Sequence, residues 1–130
     1  MKLLNRLFGK RDQKPRVLNS SDREHICAQW RNIEELVKLS KPSQLRQAII
    51  EADKLLELVL KKLVDKNQSL GENLKQAKDL FPSWEDYQKA WEAHKVRNAL
   101  VHETEYELPH YLAKEALDNF EKSLRILGAL

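Results

Sequence analysis

The sequence predicts an all-α fold, an up-and-down bundle of four to five helices. Apolar residues recur at intervals of three and four over most of the chain, which is the period of a helix with one buried face. Only 3 glycines and 4 prolines are present, and the prolines fall between the periodic segments. The 130 residues are enough for one domain that buries about two thirds of its unfolded surface. The 33% of charged and 42% of apolar residues are typical of a soluble helical protein rather than a disordered one.

The charge is unevenly distributed. Residues 1–16 hold six basic residues and one acidic residue, whereas residues 17–130 hold 17 basic and 19 acidic ones, a balance of −2. The body is therefore not a generally basic nucleic-acid binder, and any attraction for phosphate must be local. Cys27 is the single cysteine, which excludes an intramolecular disulfide and a cysteine-based zinc site and fits a reducing cytoplasm. The histidines lack a metal-ligand spacing, so we predict no metal and no cofactor.

Residues 1–19 are predicted to be a basic N-terminal tail before a helical domain at residues 20–130. The tail has no apolar core long enough for a membrane span or a secretory signal. On a helix, the apolar residues of the tail would fall on one side, with basic residues around them. These apolar residues are Leu3, Leu4, Leu7 and Phe8. Two interpretations stay open: a mobile basic tail, or an amphipathic contact with a protein partner or an anionic membrane. The second would place a cytoplasmic protein at the inner face of the membrane.

The first two helices are predicted from long apolar stripes. Residues 20–39 form the first, with Ser20 or Ser21 as its N-cap and Trp30 in the core. Residues 43–65 form the second, whose stripe is broad enough for packing against more than one neighbour. On this helix Glu51 and Asp53 are predicted to pair with Lys54 on a solvated face.

Three further helices follow. Residues 67–71 are predicted as a turn, and the short helix after it ends before Pro82. Ser83 and Asp86 form a partial capping-box pattern, which indicates the start of the next helix. After an acidic loop over residues 103–108, the last helix runs from Pro109 to about residue 127, and Gly128 is well placed to end it.

The fourth predicted helix carries the candidate chemistry. Its core stripe begins with Trp84, Tyr87 and Trp91 and continues, in steps of three or four, to His94, Asn98 and then Val101 or His102. Polar groups on a core face are costly unless they are paired or lie at a cleft or a subunit contact. Two structural explanations remain open: His94 bonds a neighbouring helix, and Arg97 and His102 complement the negative end of the helix dipole.

Arg97, Asn98 and His102 follow one another with a spacing that resembles the signature of HEPN domains, in which an arginine and a polar residue precede a histidine. The resemblance covers residues 20–130, including one last helix after the motif. It implies a homodimer through the motif helices. In one straight helix Arg97 and His102 point about 140° apart, and the dimer would bring the arginines and histidines of two chains together. It also implies metal-independent RNA cleavage, with His102 moving a proton, Arg97 stabilising charge on the phosphate, and Asn98 and His94 in support.

The resemblance leaves other functions open. In the toxin branch of the family a tyrosine, two positions after the histidine, is modified by a partner nucleotidyltransferase. That position is Thr104 here, which argues against pairing with such an antitoxin. Some members keep the fold without cleaving RNA. The alternative to a ribonuclease is therefore a non-catalytic dimeric interaction module or a nucleotide-binding module, tethered to a membrane or partner by its tail.

Overall fold

A computed structural model describes residues 16–103 and 105–130 of the chain. Within them it has five α-helices, one turn of 3-10 helix and no strand, so the all-α helical bundle is confirmed. The α-helices are α1 (Ser20–Leu39), α2 (Pro42–Leu63), α3 (Leu70–Gln76), α4 (Trp84–His102) and α5 (His110–Ile126). The proposed tail contacts Leu3, Leu4, Leu7 and Phe8, and also Thr104, lie outside the described residues. In the part of the chain that the structure describes, each helix is too short or too polar to cross a lipid bilayer.

Helix α2 lies at the centre of the bundle and packs against α1, α3, α4 and α5. The prediction that its broad stripe contacts several neighbours is confirmed. Only Ser40 and Lys41 separate α1 from α2, so the two helices run antiparallel. The core between the helices is closely filled, and its large side chains that are less than 2% exposed include Ile26, Ile49, Leu56, Leu60, Leu74 and Phe120.

The helix ends follow local hydrogen bonds. Asn19, not Ser20 or Ser21, is the N-cap of α1, because its side chain accepts from the backbone N–H of Asp22 at 2.7 Å. The serine prediction was wrong by one residue. A second capping box, between Ser69 and Glu72, starts α3 inside the stretch predicted as a turn.

The other boundaries are closer to expectation. Ser83 caps α4 as predicted, through a 3.1 Å bond from the backbone N–H of Asp86. Gly128 follows the end of α5 with φ of 81°, a left-handed conformation that favours glycine.

Trp84 is not the core anchor that its place in the stripe predicted. It is 61% exposed, because the first turn of α4 extends past the core, where Phe81 and Tyr87 already fill the space. The rings of Phe81 and Tyr87 meet edge to face with centroids 5.7 Å apart, and both residues are 7% exposed. The aromatic contribution of α4 to the core therefore begins with Tyr87, one turn later than predicted.

Candidate functional site

The side chain of Arg97 lies between α4 and α2, where it meets a carboxylate and an amide. Its Nη1 donates to Oδ1 of Asn98 at 2.9 Å. Its Nε lies 3.5 Å from Oδ2 of Asp53, an ion-pair contact without hydrogen-bond geometry. The side chain is 30% exposed, so the guanidinium is held in place while one part of it still reaches solvent.

Asp53 is buried, which contradicts its predicted place on a solvated face of α2. The residue is 4% exposed, and its Oδ1 lies 2.9 Å from Nδ1 of His94. A buried carboxylate is stable only when charge and hydrogen bonds compensate the lost hydration, and His94 and Arg97 supply both. The sequence carried a signal for this position: Asp53 is four residues after the buried Ile49 and three before the buried Leu56, on the core face itself.

The four polar residues form a closed ring of contacts. An ionised Asp53 accepts only, so the hydrogen-bond network assigns the ring proton of His94 to Nδ1. Nε2 of His94 is then an acceptor, and the amide Nδ2 of Asn98 is its neighbour at 3.4 Å. Oδ1 of the same amide accepts from Arg97, and the ring closes at Asp53. With both its ring nitrogens engaged, His94 is suited to holding Arg97 in position rather than to transferring protons.

His94 thus makes the hydrogen bond to a neighbouring helix that the structural explanation predicts. His94 joins α4 to Asp53 of α2, and its ring also lies 6.1 Å from that of Trp91. The sequence placed His94, Arg97 and Asn98 together correctly, because they share one helix. It missed Asp53, the partner from the other helix.

His102 lies apart from this ring. Helix α4 runs without a break through His102, so Arg97 and His102 point about 140° apart around one straight axis and lie about 7.5 Å apart along it. His102 is exposed, and its neighbour Val101 is 40% exposed. A single chain therefore does not bring the arginine and the histidine of the motif together.

A second arginine reaches the same end of α4 from α2. Nη2 of Arg46 donates to the backbone carbonyl of Leu100 at 2.6 Å, which satisfies one of the carbonyls left free in the last turn of α4. Arg46 also lines a cavity of about 540 Å³ between the start of α2 and the loop before α5. No pattern in the sequence marks Arg46, because an exposed arginine on a helix has no pattern of its own.

A scan of protein-family models, a search of curated proteins and a search of solved structures find no match to this chain. Among residues 16–103 and 105–130, no three histidine, cysteine, aspartate or glutamate side chains are grouped so as to hold a metal ion. The described groups offer instead a fixed cation at Arg97, a second cation at Arg46 and an exposed imidazole at His102.

Proposed function

We propose that the chain is a HEPN-like, dimeric, metal-independent endoribonuclease in a reducing cytoplasm. The observation that supports it is the guanidinium of Arg97, which Asp53 and Asn98 hold in place on the same helix that carries an exposed His102. An arginine held in this way needs little further ordering to bind a phosphate with its forked donors. An exposed imidazole can both accept and donate a proton.

A two-fold contact through α4 supplies what one chain lacks. Because Arg97 and His102 point in different directions, His102 would act on the phosphate bound at Arg97 of the partner subunit. The exposed Val101, next to His102, would lie within this contact. One shared site on the two-fold axis, with the arginines and histidines of both subunits, would result.

The proposed reaction is a transesterification. The ribose 2′-oxygen attacks the adjacent phosphorus while one His102 accepts the 2′-hydroxyl proton. Arg97 stabilises the negative charge that develops on the non-bridging oxygens. The bond to the 5′-oxygen breaks, and His102 of the partner subunit gives this oxygen a proton. The products are a 2′,3′-cyclic phosphate and a 5′-hydroxyl, and DNA is no substrate because it lacks the attacking group.

The Asp53 carboxylate favours a second candidate function, a non-catalytic dimeric module. It lies 3.5 Å from Nε of Arg97 and balances the positive charge there. Glu103, Glu105 and Glu107 add negative charge just after the motif, which opposes an RNA backbone. Such a module would bind a protein, a nucleotide or an anionic membrane, the last through Leu3, Leu4, Leu7 and Phe8.

Cleavage of a mixed-sequence single-stranded RNA in EDTA tests the nuclease. We expect the wild type to produce cyclic-phosphate ends, detected by mass spectrometry, and His102→Ala to lose this activity by at least about 100-fold, the usual contribution of general acid–base catalysis. His25→Ala is the matched control, because His25 is exposed on α1. Light scattering must show all three proteins to be dimers, and urea unfolding must show that their stabilities are equal.

Three results separate the candidate functions. Intact RNA with a folded, dimeric wild type contradicts the nuclease. Binding to phosphatidylglycerol vesicles but not to phosphatidylcholine vesicles, lost in Leu4→Glu/Leu7→Glu, would then support the membrane-associated module. If His102→Ala still cleaves RNA, the protein is a ribonuclease but His102 is not part of its mechanism.

A further inference from the structure

The cavity beside Arg46 lies at the end of the bundle where α4 ends and α5 begins. Its volume of about 540 Å³ is within the range of about 300–1,000 Å³ that is usual for small-molecule sites. Its inner wall is apolar, with Leu45, Leu100 and Ala113 all buried. The half-buried Tyr106 and Leu108 form the side contributed by the loop before α5. A flat apolar group of the size of a nucleobase has both the room and the contacts to bind there.

Arg46 supplies the positive charge of this cavity. Only its Nη2 is used by the carbonyl of Leu100, and the other guanidinium nitrogens make no hydrogen bond within the described residues. The bond to Leu100 fixes the direction of the fork without neutralising its charge. A guanidinium held in this way is suited to the oxygens of a phosphate.

Arg46 and Arg97 each make a contact between α2 and α4, Arg46 with the carbonyl of Leu100 and Arg97 with the carboxylate of Asp53. Arg46 precedes Asp53 by seven residues, which places the two on one face of α2 about 10.5 Å apart along its axis. On α4, Leu100, the contact of Arg46, is three residues or about 4.5 Å beyond Arg97. The contact of Arg46 with α4 is therefore about one turn of that helix from Arg97, with Arg46 in the lining of the cavity and Arg97 outside it.

Glu107 lines the cavity as well, and its carboxylate argues against a simple anion as the ligand. A ligand that fits both charges needs an anionic group for Arg46 and hydrogen-bond donors for Glu107. A ribonucleotide has these parts: a phosphate, ribose hydroxyls or a base amino group as donors, and a flat base for Tyr106 and Leu108.

We propose that this cavity binds one ribonucleotide of an RNA strand, with its base against Tyr106 and its phosphate on Arg46, next to the phosphate that is cleaved at Arg97. The proposal rests on the proposed function for the position of the strand, but not for the binding itself. It makes the cavity a subsite that selects a nucleotide next to the cut. Arg46 and Tyr106 are then residues of substrate binding, and Arg97 and His102 are those of the reaction.

The binding is tested by calorimetry with ribonucleoside 3′-monophosphates as probes. His102→Ala serves as the parent protein, so that no turnover interferes. We expect Arg46→Gln to weaken the binding of the best monophosphate at least about tenfold, consistent with a lost charge-assisted hydrogen bond. Binding of the corresponding nucleoside, which has no phosphate, should change less. Tyr106→Leu should weaken both, since it removes the aromatic surface that the base contacts.

Two further variants exclude a merely structural effect. Arg46→Lys keeps a cation and should recover part of the affinity, whereas a loosened end of α4 would not be repaired by the shorter side chain. Arg125→Gln is the matched control, because Arg125 lies in the last turn of α5, at the far end of that helix from the cavity, with its side chain 60% exposed. Urea unfolding must show each variant to be folded under the assay conditions.

The outcomes distinguish this proposal from the nuclease. Absence of monophosphate binding, or binding that Arg46→Gln and Tyr106→Leu leave unchanged, overturns the subsite. Inorganic phosphate that binds as tightly as the nucleotide overturns it too, since the base would then contribute nothing. Specific nucleotide binding by a protein that leaves RNA intact supports the subsite and contradicts the nuclease. RNA cleavage whose kcat/KM is unchanged by Arg46→Gln and Tyr106→Leu supports the nuclease and contradicts the subsite.

Discussion

Replacing Asp53 by alanine tests whether the ring around Arg97 is held by this carboxylate. The substitution removes the acceptor of His94 Nδ1 at 2.9 Å and the ion-pair partner of Arg97 at 3.5 Å. Both partners stay on α4 without a replacement, and the His94 side chain is only 13% exposed. The cost of the change is therefore mostly that of a polar group left unsatisfied in the protein interior.

The two contacts differ in size. A hydrogen bond to a charged group contributes about 1.5–3 kcal/mol, and it is the larger of the two. The contact to Arg97, which is 30% exposed and lacks hydrogen-bond geometry, adds about 0.2–1 kcal/mol. Removal of a buried charge offsets part of this loss. We expect Asp53→Ala to lower the free energy of unfolding by about 2–3 kcal/mol and Asp53→Asn, which keeps an acceptor oxygen, by less.

Urea unfolding followed by circular dichroism measures this difference. With a slope of about 1–3 kcal/mol per molar urea, the midpoint of Asp53→Ala should fall by about 0.7–3 M. Glu57→Ala is the control: it is one turn further along α2, 3.7 Å from Lys61 with its side chain 43% exposed, and should cost under about 0.5 kcal/mol. A double-mutant cycle with His94→Ala should give a coupling energy of at least about 1 kcal/mol. Equal midpoints for Asp53→Ala and Glu57→Ala would refute the reasoning.

Two further predictions concern the start of α1. Asn19→Ala should lower the free energy of unfolding by about 1 kcal/mol, because the N-cap is lost. Ser20→Ala, inside the helix, should change it by only about a few tenths of a kcal/mol. Equal effects of the two substitutions in urea unfolding would contradict the assigned cap. The pKa of Asp22 lies below its ordinary value of 3.8, and the hydrogen bond from Lys62 is the largest cause. This pair therefore stabilises the fold above pH 3.8, and the stabilisation is lost as the pH falls through the lowered pKa. Lys62→Met should raise the pKa of Asp22 in a carboxyl NMR titration, and an unchanged pKa would exclude Lys62 as the main cause.

The sequence predicted the elements of the fold better than the contacts between them. Helices α1, α2 and α5 follow from strict apolar periodicity, and Pro42, Pro82 and Pro109 mark three of the breaks. At Asp53 the charge pattern was misleading, because the neighbouring Lys54 suggested a surface pair. The apolar periodicity was correct there, since the register with Ile49 and Leu56 placed Asp53 on the core face. The partner that makes an aspartate stable there, His94, is 41 residues away, and one sequence contains no signal for that pairing. Arg46 was missed for the same reason, since its contact with Leu100 spans 54 residues.

The charges of the described site bear on how an RNA strand would be attracted to it. Asp53 balances Arg97, and Glu107 opposes Arg46 in the cavity, so neither arginine creates a strong field at long range. Glu103 and Glu105 add further negative charge on this side of α4. Attraction at a distance would then fall to residues 1–16, whose six basic residues and one acid give a balance of +5. The proposed nuclease would thus divide its binding into a salt-sensitive part from the tail and a short-range part at Arg97 and the cavity, and only the short-range part would distinguish one nucleotide from another.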